Sequence, residues 1–359
     1  MPMDSDHSEQ LRQAVLDAGA CGRPLRIVGG GSKAFYGRPV VGEPLEVAPH
    51  RGILSYQPSE LVLTARAGTP LAEIEAVLAE HGQMLPFEPP HFGPGATLGG
   101  AVATGLSGPR RAFAGSVRDC VLGCRLLNGK GEILAFGGQV MKNVAGFDLA
   151  RLMVGAQGTL GVLLEISLKV LPRPEWERTL VFPMATPAAL ATMVRWCREP
   201  WPVSGLAYDE SWIHLRLSGT EPAVEATRRQ LGGELAADGP GFWQGLKEQR
   251  SRFFQLPSLG ARLWRLSLPP ATPPLVELPG HWFYDWGGAL RWLRSDAPGE
   301  LVFEAARRVG GHATLFRGPC PDGRVFQPLP PALEALHRRL KRAFDPKGLF
   351  NPGRLYEDW

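Results

Sequence analysis

Cysteine is scarce in this 359-residue chain: five, at positions 21, 120, 124, 197 and 320. An odd, scattered set argues against a disulfide framework and reads as reduced thiols, small hydrophobes in a packed interior. Cys120 and Cys124 are separated by three residues with no second pair, which leaves a zinc cage or an iron–sulfur cluster little support. Charge of one sign is also short. Lys and Arg number 39 against 35 Asp and Glu, and the resulting +4 is too small to imply a nucleic-acid partner. No apolar run reaches 18 residues; the best, Thr159 to Leu171, is interrupted by Glu165 and Lys169, so a membrane-spanning helix is not expected. Met1 to His7 is polar and acidic and lacks the pattern of a secretory signal, which points to a cytoplasmic protein. None of the eight histidines (7, 50, 81, 91, 214, 281, 312, 337) is paired as H-x-H or H-x3-H, so no metal is expected. Disorder is excluded too, with 44% apolar and 21% charged residues.

Glycine and proline are abundant: 44 and 34, close to double ordinary usage. Sixteen of the glycines fall between Gly93 and Gly161, whereas all ten tryptophans stand at or after Trp176, nine of them by Trp292. Between the two regions, Pro172 and Pro174 stop regular structure. The expected division is 1–172, a lobe over 173–328, and a helix and tail over 329–359 that complete the first domain's site.

The first part reads as α/β. Leu11, Ala14, Val15 and Ala18 mark an amphipathic helix, Leu25 to Val28 a strand, and Leu61 to Ala65 another. Thr69 and Pro70 read as the N-cap and first residue of a helix burying Leu71, Ile74 and Leu78, stopped by Gly82. From Ala96 the pattern shortens into strands separated by glycine turns. Val121 to Leu127 and Glu132 to Phe136 form a hairpin around Asn128-Gly129, and Val162 to Val170 is a further strand. The second part mixes strands (Trp212 to Leu217, Arg262 to Leu268) with helices (Val224 to Leu231, Gly299 to Arg308), an α+β lobe with helices on one face of an antiparallel sheet. Leu333, Leu336, Leu340 and Phe344 stripe a final helix that Asp345-Pro346 ends. The fold class is α+β.

Three glycine signals carry chemistry. Strand residues Arg26 to Val28 run into Gly29, Gly30, Gly31, Ser32 and Lys33. Consecutive glycines let backbone amides converge on an anion, and a hydroxyl and an ammonium follow at once. The other reading is a plain flexible turn, and this segment alone does not separate the two. It is neither a Walker loop, because serine precedes Lys33, nor a dinucleotide-fold fingerprint, because Gly37 and Pro39 forbid the required helix. Gly95, Ala96, Thr97, Gly99 and Gly100, followed by Ser107, Gly108 and Gly115, form the second signal, small enough for a flat ligand to lie on main chain. Gly158, Gly161 and Val162 belong to the third.

The order Gly-Gly-Gly-Ser, Ala-Thr-Leu-Gly-Gly, Gly-Thr-Leu-Gly-Val and then Asn351-Pro352-Gly353 resembles the PCMH-type FAD-binding fold of the vanillyl-alcohol oxidase and p-cresol methylhydroxylase superfamily, over about residues 1–172 and the last 25 or so. Lys142 to Asp148, Asp285 to Trp292 and Gly310 to Arg317 resemble the narrower family of FAD-binding E subunits of bacterial glycolate oxidase. The resemblance implies FAD, with the Gly29–Lys33 loop on the pyrophosphate. Gly95 to Gly100, Ser107, Gly108 and Gly115 would lie along the adenosine and ribityl portions. Gly158, Gly161 and Val162 would close over the adenine side, and Asn351 would reach the isoalloxazine. Relatives with covalent flavin carry a histidine in the first loop where this chain has Gly31, so a non-covalent cofactor is expected. It further implies oxidation of a small 2-hydroxy acid, glycolate, in a complex with a larger FAD-containing subunit and an iron–sulfur subunit. A membrane would be reached only peripherally, through those partners. Two other readings stay open: a non-catalytic scaffold or electron relay, and a stand-alone oxidase of another hydroxy acid.

For catalysis the best pair is His312 and Arg317, although five residues of regular strand would put them on opposite faces. The tryptophan-rich lobe either serves association, with Arg291 and Trp292 as anchors on a partner, or uses its rings in a two-sided core strand, with Arg291 as a surface cation–π contact.

Overall fold

Leu11, Val15 and Ala18 recur at helical spacing and are buried along one face of helix Ser8–Cys21, which stops where Gly22 turns left-handed at φ +64°. The structure, a computed structural model, describes residues 5–138, 148–256, 258, 260–320 and 322–359; positions 142–147 of the Lys142 motif lie outside them. Strand Leu25–Val28 follows and pairs in parallel with Glu43–Glu46. Helix Leu71–Glu80 buries Leu71, Ile74 and Leu78 as expected, but Thr69 does not cap it. The Thr69 hydroxyl is engaged by Gly52, accepting from its amide at 2.9 Å and donating to its carbonyl at 3.1 Å.

Five antiparallel strands form the sheet of this unit, in the order Ile53–Gln57, Val62–Arg66, Val162–Lys169, Val121–Leu127, Ile133–Gly137. The hairpin forms, yet its turn is longer than an Asn-Gly pair. Asn128 Oδ1 accepts from the amides of Lys130 and Glu132, and the left-handed residue is Gly131, at φ +79°. The stretch after Ala96 is helical rather than extended: Leu98–Thr104, Arg111–Ala114 and Val117–Cys120. Thr97 supplies the reason for the first of these, its Oγ1 accepting from Gly100 N at 3.2 Å, while Gly105 closes the far end at φ +66°.

The C-terminal helix Pro331–Phe344 and the tail belong to this same unit, which comprises Met1–Ser107, Gly115–Pro172 and Pro328–Trp359. Phe344, Leu349 and Phe350 join its core. Burying a phenylalanine such as Phe350 contributes roughly 2 kcal/mol. The buried Lys341 ammonium donates to Asp345 Oδ2 at 2.7 Å and to the carbonyls of Thr159 and Phe350 at 2.8 Å. Desolvation lowers its pKa, and the Asp345 carboxylate opposes that shift. Leu333 and Leu336 do not share this burial and stay exposed.

Residues Gly108–Ala114 and Arg173–Gln327 form the second unit. Its eight-stranded sheet runs Glu234–Leu235, Trp176–Pro183, Trp212–Gly219, Val203–Tyr208, His281–Asp285, Leu290–Arg294, Leu263–Ser267, His312–Arg317, with antiparallel pairing throughout. Helices Thr186–Trp196, Glu221–Leu231 and Gly299–Arg308 bury Met193, Val224 and Phe303 in one core with Leu180, Leu215 and Leu293 of the sheet. A fourth helix, Gly239–Lys247, covers the other face, with Trp243 Nε1 donating to Thr179 at 2.9 Å. The helices therefore occupy both faces. Six of the lobe's nine tryptophans are buried. Arg291 is fully buried, donating to the carbonyls of Gly288, Pro273 and Thr272. Trp292 packs edge-on against Phe254 and Phe316. Both proposed partner anchors are interior residues of the lobe, so that expectation is corrected. The cysteine expectation is corrected in part as well: Cys120 and Cys124 are buried, Cys21 and Cys197 exposed.

Candidate functional site

The first unit encloses a cavity of about 400 Å³ where strand Leu25–Val28 ends. Gly29, Gly30, Gly31, Ser32 and Lys33 line it, with Thr97, Gly99 and Gly100 from the short helix and Gly158, Gly161 and Val162 from the third signal. Among the described residues, the amides of Gly29, Gly30, Gly31 and Ser32 donate to no protein acceptor. Four successive unoccupied donors beside a cavity suit a phosphate-bearing ligand. Glycine is required here by closeness: a Cβ on Gly30 would lie 1.3 Å from the Gly95 carbonyl oxygen, and one on Gly29 would lie 2.7 Å from Thr97 Oγ1. Gly31 differs. Its φ of +71° demands glycine, but a Cβ there would meet nothing within 4 Å.

Five of the expected residues do not line the cavity. Gly95 backs the Gly30 loop instead. Ala96 is buried, its carbonyl accepting from Leu71 N at 2.8 Å. Ser107 Oγ accepts from Val117 N at 3.1 Å, and the left-handed Gly115 lies against Asp119. Gly108 belongs to the second unit, where its carbonyl accepts from Trp286 Nε1 at 2.9 Å. Lys33 lines the cavity, and its ammonium is turned to the His91 carbonyl at 3.2 Å.

Asn351 reaches the cavity wall as a staple. Its Oδ1 accepts from Ile27 N at 2.8 Å and its Nδ2 donates to the Gln157 carbonyl at 2.7 Å, so both ends of the amide hold backbone at the cavity lining. Gln157 and Arg354 are among the lining residues that were not expected. The Arg354 guanidinium donates to Gln157 Oε1 at 2.9 Å and to the carbonyls of Tyr36 and Arg38 at 2.6 and 2.8 Å. A sequence signal existed: Arg354 stands three residues after Asn351, in the same turn-rich tail.

In the second unit, His312 and Arg317 open and close one strand. Ser267, Arg265 and Leu263 oppose His312, Thr314 and Arg317, with a register shift between Leu263 and Trp264. That bulge returns Arg317 to the His312 face, contrary to simple alternation. Five residues of strand nevertheless separate the two by roughly 16 Å. His312 is exposed, and partial desolvation and the nearby Arg265 cation both lower its pKa, favouring the neutral imidazole. Arg265 and Arg111 both approach the ring of Trp286, at 5.3 and 4.2 Å from its centre.

An FAD-linked oxidoreductase is the class that this fold and cavity define. An "FAD binding domain" family model matches residues 5–137, and "FAD linked oxidases, C-terminal domain" matches 329–355. Glycolate oxidase subunit GlcE of Escherichia coli is 51% identical over 358 residues, all of both chains, and the chain belongs to this E-subunit family. Glycolate oxidase subunit GlcD of Bacillus subtilis is 33% identical over 129 residues, 36% of this chain and 27% of that protein. A solved structure of alkyldihydroxyacetonephosphate synthase shares the fold, with a TM-score of 0.67 at 16% identity over 97% of this chain and 74% of its own. The PCMH-type assignment stands, and the cofactor is FAD. The cavity fits it, since the Gly29–Ser32 amides are left to donate to a phosphate and the glycines leave main chain open to a flat ligand.

Proposed function

We propose that this chain is the FAD-carrying E subunit of a complex that oxidises glycolate to glyoxylate. The observation that carries the reading is the end-to-end 51% identity to Glycolate oxidase subunit GlcE, joined to a glycine-walled cavity of the right donor chemistry. Bound FAD supplies the two-electron acceptor that alcohol oxidation needs. The cofactor is held without a covalent bond, because Gly31 offers no nucleophile and burial pushes the Cys120 and Cys124 thiols up to about 12. His312, kept neutral, takes the hydroxyl proton. Arg265 beside it attracts the carboxylate, and Arg317 stands too far along the strand to hold the same small acid. Electrons leave to an iron–sulfur subunit of the complex, alongside a larger FAD-containing subunit. Among the described residues no helix is long and apolar enough to cross a membrane, and the chain is proposed to be cytoplasmic, meeting a membrane only through those partners.

Anaerobic addition of glycolate to the flavin-loaded chain tests the proposal: the flavin absorbance bleaches, and His312→Asn slows bleaching about 100-fold while flavin content holds. The roughly 16 Å between His312 and Arg317 favours one second reading, in which this flavin only relays electrons within the complex. Absence of bleaching by any 2-hydroxy acid supports the relay, and rapid reoxidation by air supports a stand-alone oxidase. Acid precipitation checks the attachment, because FAD released to the supernatant is non-covalent and flavin left in the pellet is not.

A further inference from the structure

The tail after helix Pro331–Phe344 meets both flanks of the Gly29–Lys33 loop and the third glycine signal, all within the cofactor unit. Upstream of the loop, Asn351 Oδ1 accepts from Ile27 N at 2.8 Å, and Leu25 N donates to the Leu349 carbonyl at 2.7 Å. Downstream, Arg38 N donates to the Arg354 carbonyl and Arg38 Nε to the Gly353 carbonyl, both at 3.0 Å. Among the described residues, the four amides of Gly29 to Ser32 meet no protein acceptor. The loop therefore takes its place from these flanks and from the seat of Gly30 on Gly95.

The Arg354 side chain makes the densest part of this contact. A guanidinium has five N–H donors and accepts nothing. Five hydrogen bonds use them here. Nε donates to Gln157 Oε1 at 2.9 Å. One terminal nitrogen donates to the carbonyls of Ala34 and Arg38 at 3.3 and 2.8 Å, the other to those of Ala34 and Tyr36 at 3.3 and 2.6 Å. So occupied, the group lines the cavity with no donor left to offer a phosphate. Its planar fork instead ties segment 34–38, which follows the glycine loop at once, to Gln157, itself left-handed at φ +49°. A lysine ammonium, a single nitrogen, cannot span those acceptors.

Gly37 is an independent sign that this joint is built for close approach. At φ +110° it passes directly over it: a Cβ there would lie 2.5 Å from Gln157 Oε1 and 2.9 Å from Arg354 Nε. Gly37 itself does not line the cavity.

We propose that Arg354 is a positioning residue for FAD: it fixes the downstream flank of the glycine loop against the third glycine signal, so that the loop amides stand ready for a phosphate before the cofactor arrives. With the joint loosened, the loop is ready in only a fraction of chains, and FAD affinity falls by that fraction. The inference rests on the cavity being the FAD site. That reading has its own test, because Gly30→Val with full flavin retention would sink it whatever Arg354 does.

The experiment uses the full chain, stripped of flavin and titrated with FAD, in wild type, Arg354→Lys, Gly37→Ala and Ile74→Val. Arg354→Lys keeps the charge and loses the fork. Gly37→Ala pries the joint apart from outside the cavity, and Ile74→Val trims a fully buried core side chain that lines no part of it. The expected result is three- to tenfold weaker FAD binding in the first two and no change in the third. Amide hydrogen exchange across 34–38 should be faster in those two flavin-free variants than in flavin-free wild type. Because coupling is reciprocal, FAD should slow that exchange in wild type. Wild-type affinity in Arg354→Lys, or a loss there that Gly37→Ala does not share, would overturn the proposal, since the cation rather than the joint would then be what FAD meets. An equal loss in Ile74→Val would overturn it too, leaving only general stability.

Discussion

The two units are built in opposite ways. The cofactor unit is rich in glycine, and its working surface is main chain: amides of Gly29 to Ser32, carbonyls fastened by Asn351, and glycines where a Cβ would strike backbone. The lobe holds nine of the ten tryptophans, and its surface is built from side chains whose direction depends on register. Both family-model matches fall largely in the cofactor unit. A site made of backbone constrains sequence to glycine at fixed places, while a site made of side chains on a sheet can be rebuilt by one bulge. Substitutions in the two units should therefore fail differently.

The largest effect is expected from Gly30→Val. The Gly95 carbonyl oxygen stands where the new Cβ would go, so the loop must move and flavin retention should be lost. Gly31→Ala, with open space around its Cβ, costs only the left-handed conformation, about 1 kcal/mol. Flavin-to-protein ratios of the purified variants check the contrast, and equal ratios would break it. Next comes Asn351→Ala, which leaves Ile27 N and the Gln157 carbonyl without partners. A loss of about 2–4 kcal/mol in thermal or denaturant unfolding is expected, with weakened FAD. Trp292→Ala in the lobe should cost a comparable 3–5 kcal/mol, roughly, by cavity formation, yet leave flavin content near normal while the lobe stays folded. Flavin loss in that variant under folding conditions would erase the distinction between the units.

How much of this was legible follows the same division. Strand Leu25–Val28 and helix Gly299–Arg308 have the expected bounds, because hydrophobic spacing and flanking glycine or proline act locally. Helix Leu98–Thr104 was not legible, since its glycines argue against a helix and only Thr97 and Gly105 at its ends, set in tertiary contact, reverse that. Gly108 read as part of a cofactor run, and nothing local says that its carbonyl belongs to a tryptophan nearly 180 residues on. The return of Arg317 to the His312 face depends on a one-residue bulge that spacing cannot reveal. Arg291 looked like a surface cation because arginine usually is one; three backbone carbonyls make it an interior strut.

The smallest effect concerns two histidines. His312 on the lobe is exposed, whereas His50 in the cofactor unit is fully buried. His50 Nδ1 accepts from His7 N at 3.0 Å and its Nε2 faces the Leu164 carbonyl at 3.1 Å, which fixes a neutral ring with the proton on Nε2. Burial lowers its pKa; Asp6 and Glu165 pull the other way, and Arg66 reinforces the shift. With the folded pKa below the unfolded 6.5, the unfolded chain binds the extra proton first as pH falls. The contribution of His50 is therefore complete above pH 6.5 and is lost as pH drops through the folded value. The slope cannot exceed about 1.4 kcal/mol per pH unit for one group. Unfolding of wild type against His50→Asn between pH 5 and 8 should show the gap narrowing on the acid side. His312→Asn should narrow the gap in the same direction, because partial desolvation and the Arg265 cation lower that pKa as well. A parallel profile for His50→Asn would mean that the buried ring is protonated in place, with Asp6 neutralising it. The contact of His50 Nδ1 with Asp6 Oδ1, 3.6 Å apart, would then act as an ion pair on the acid side.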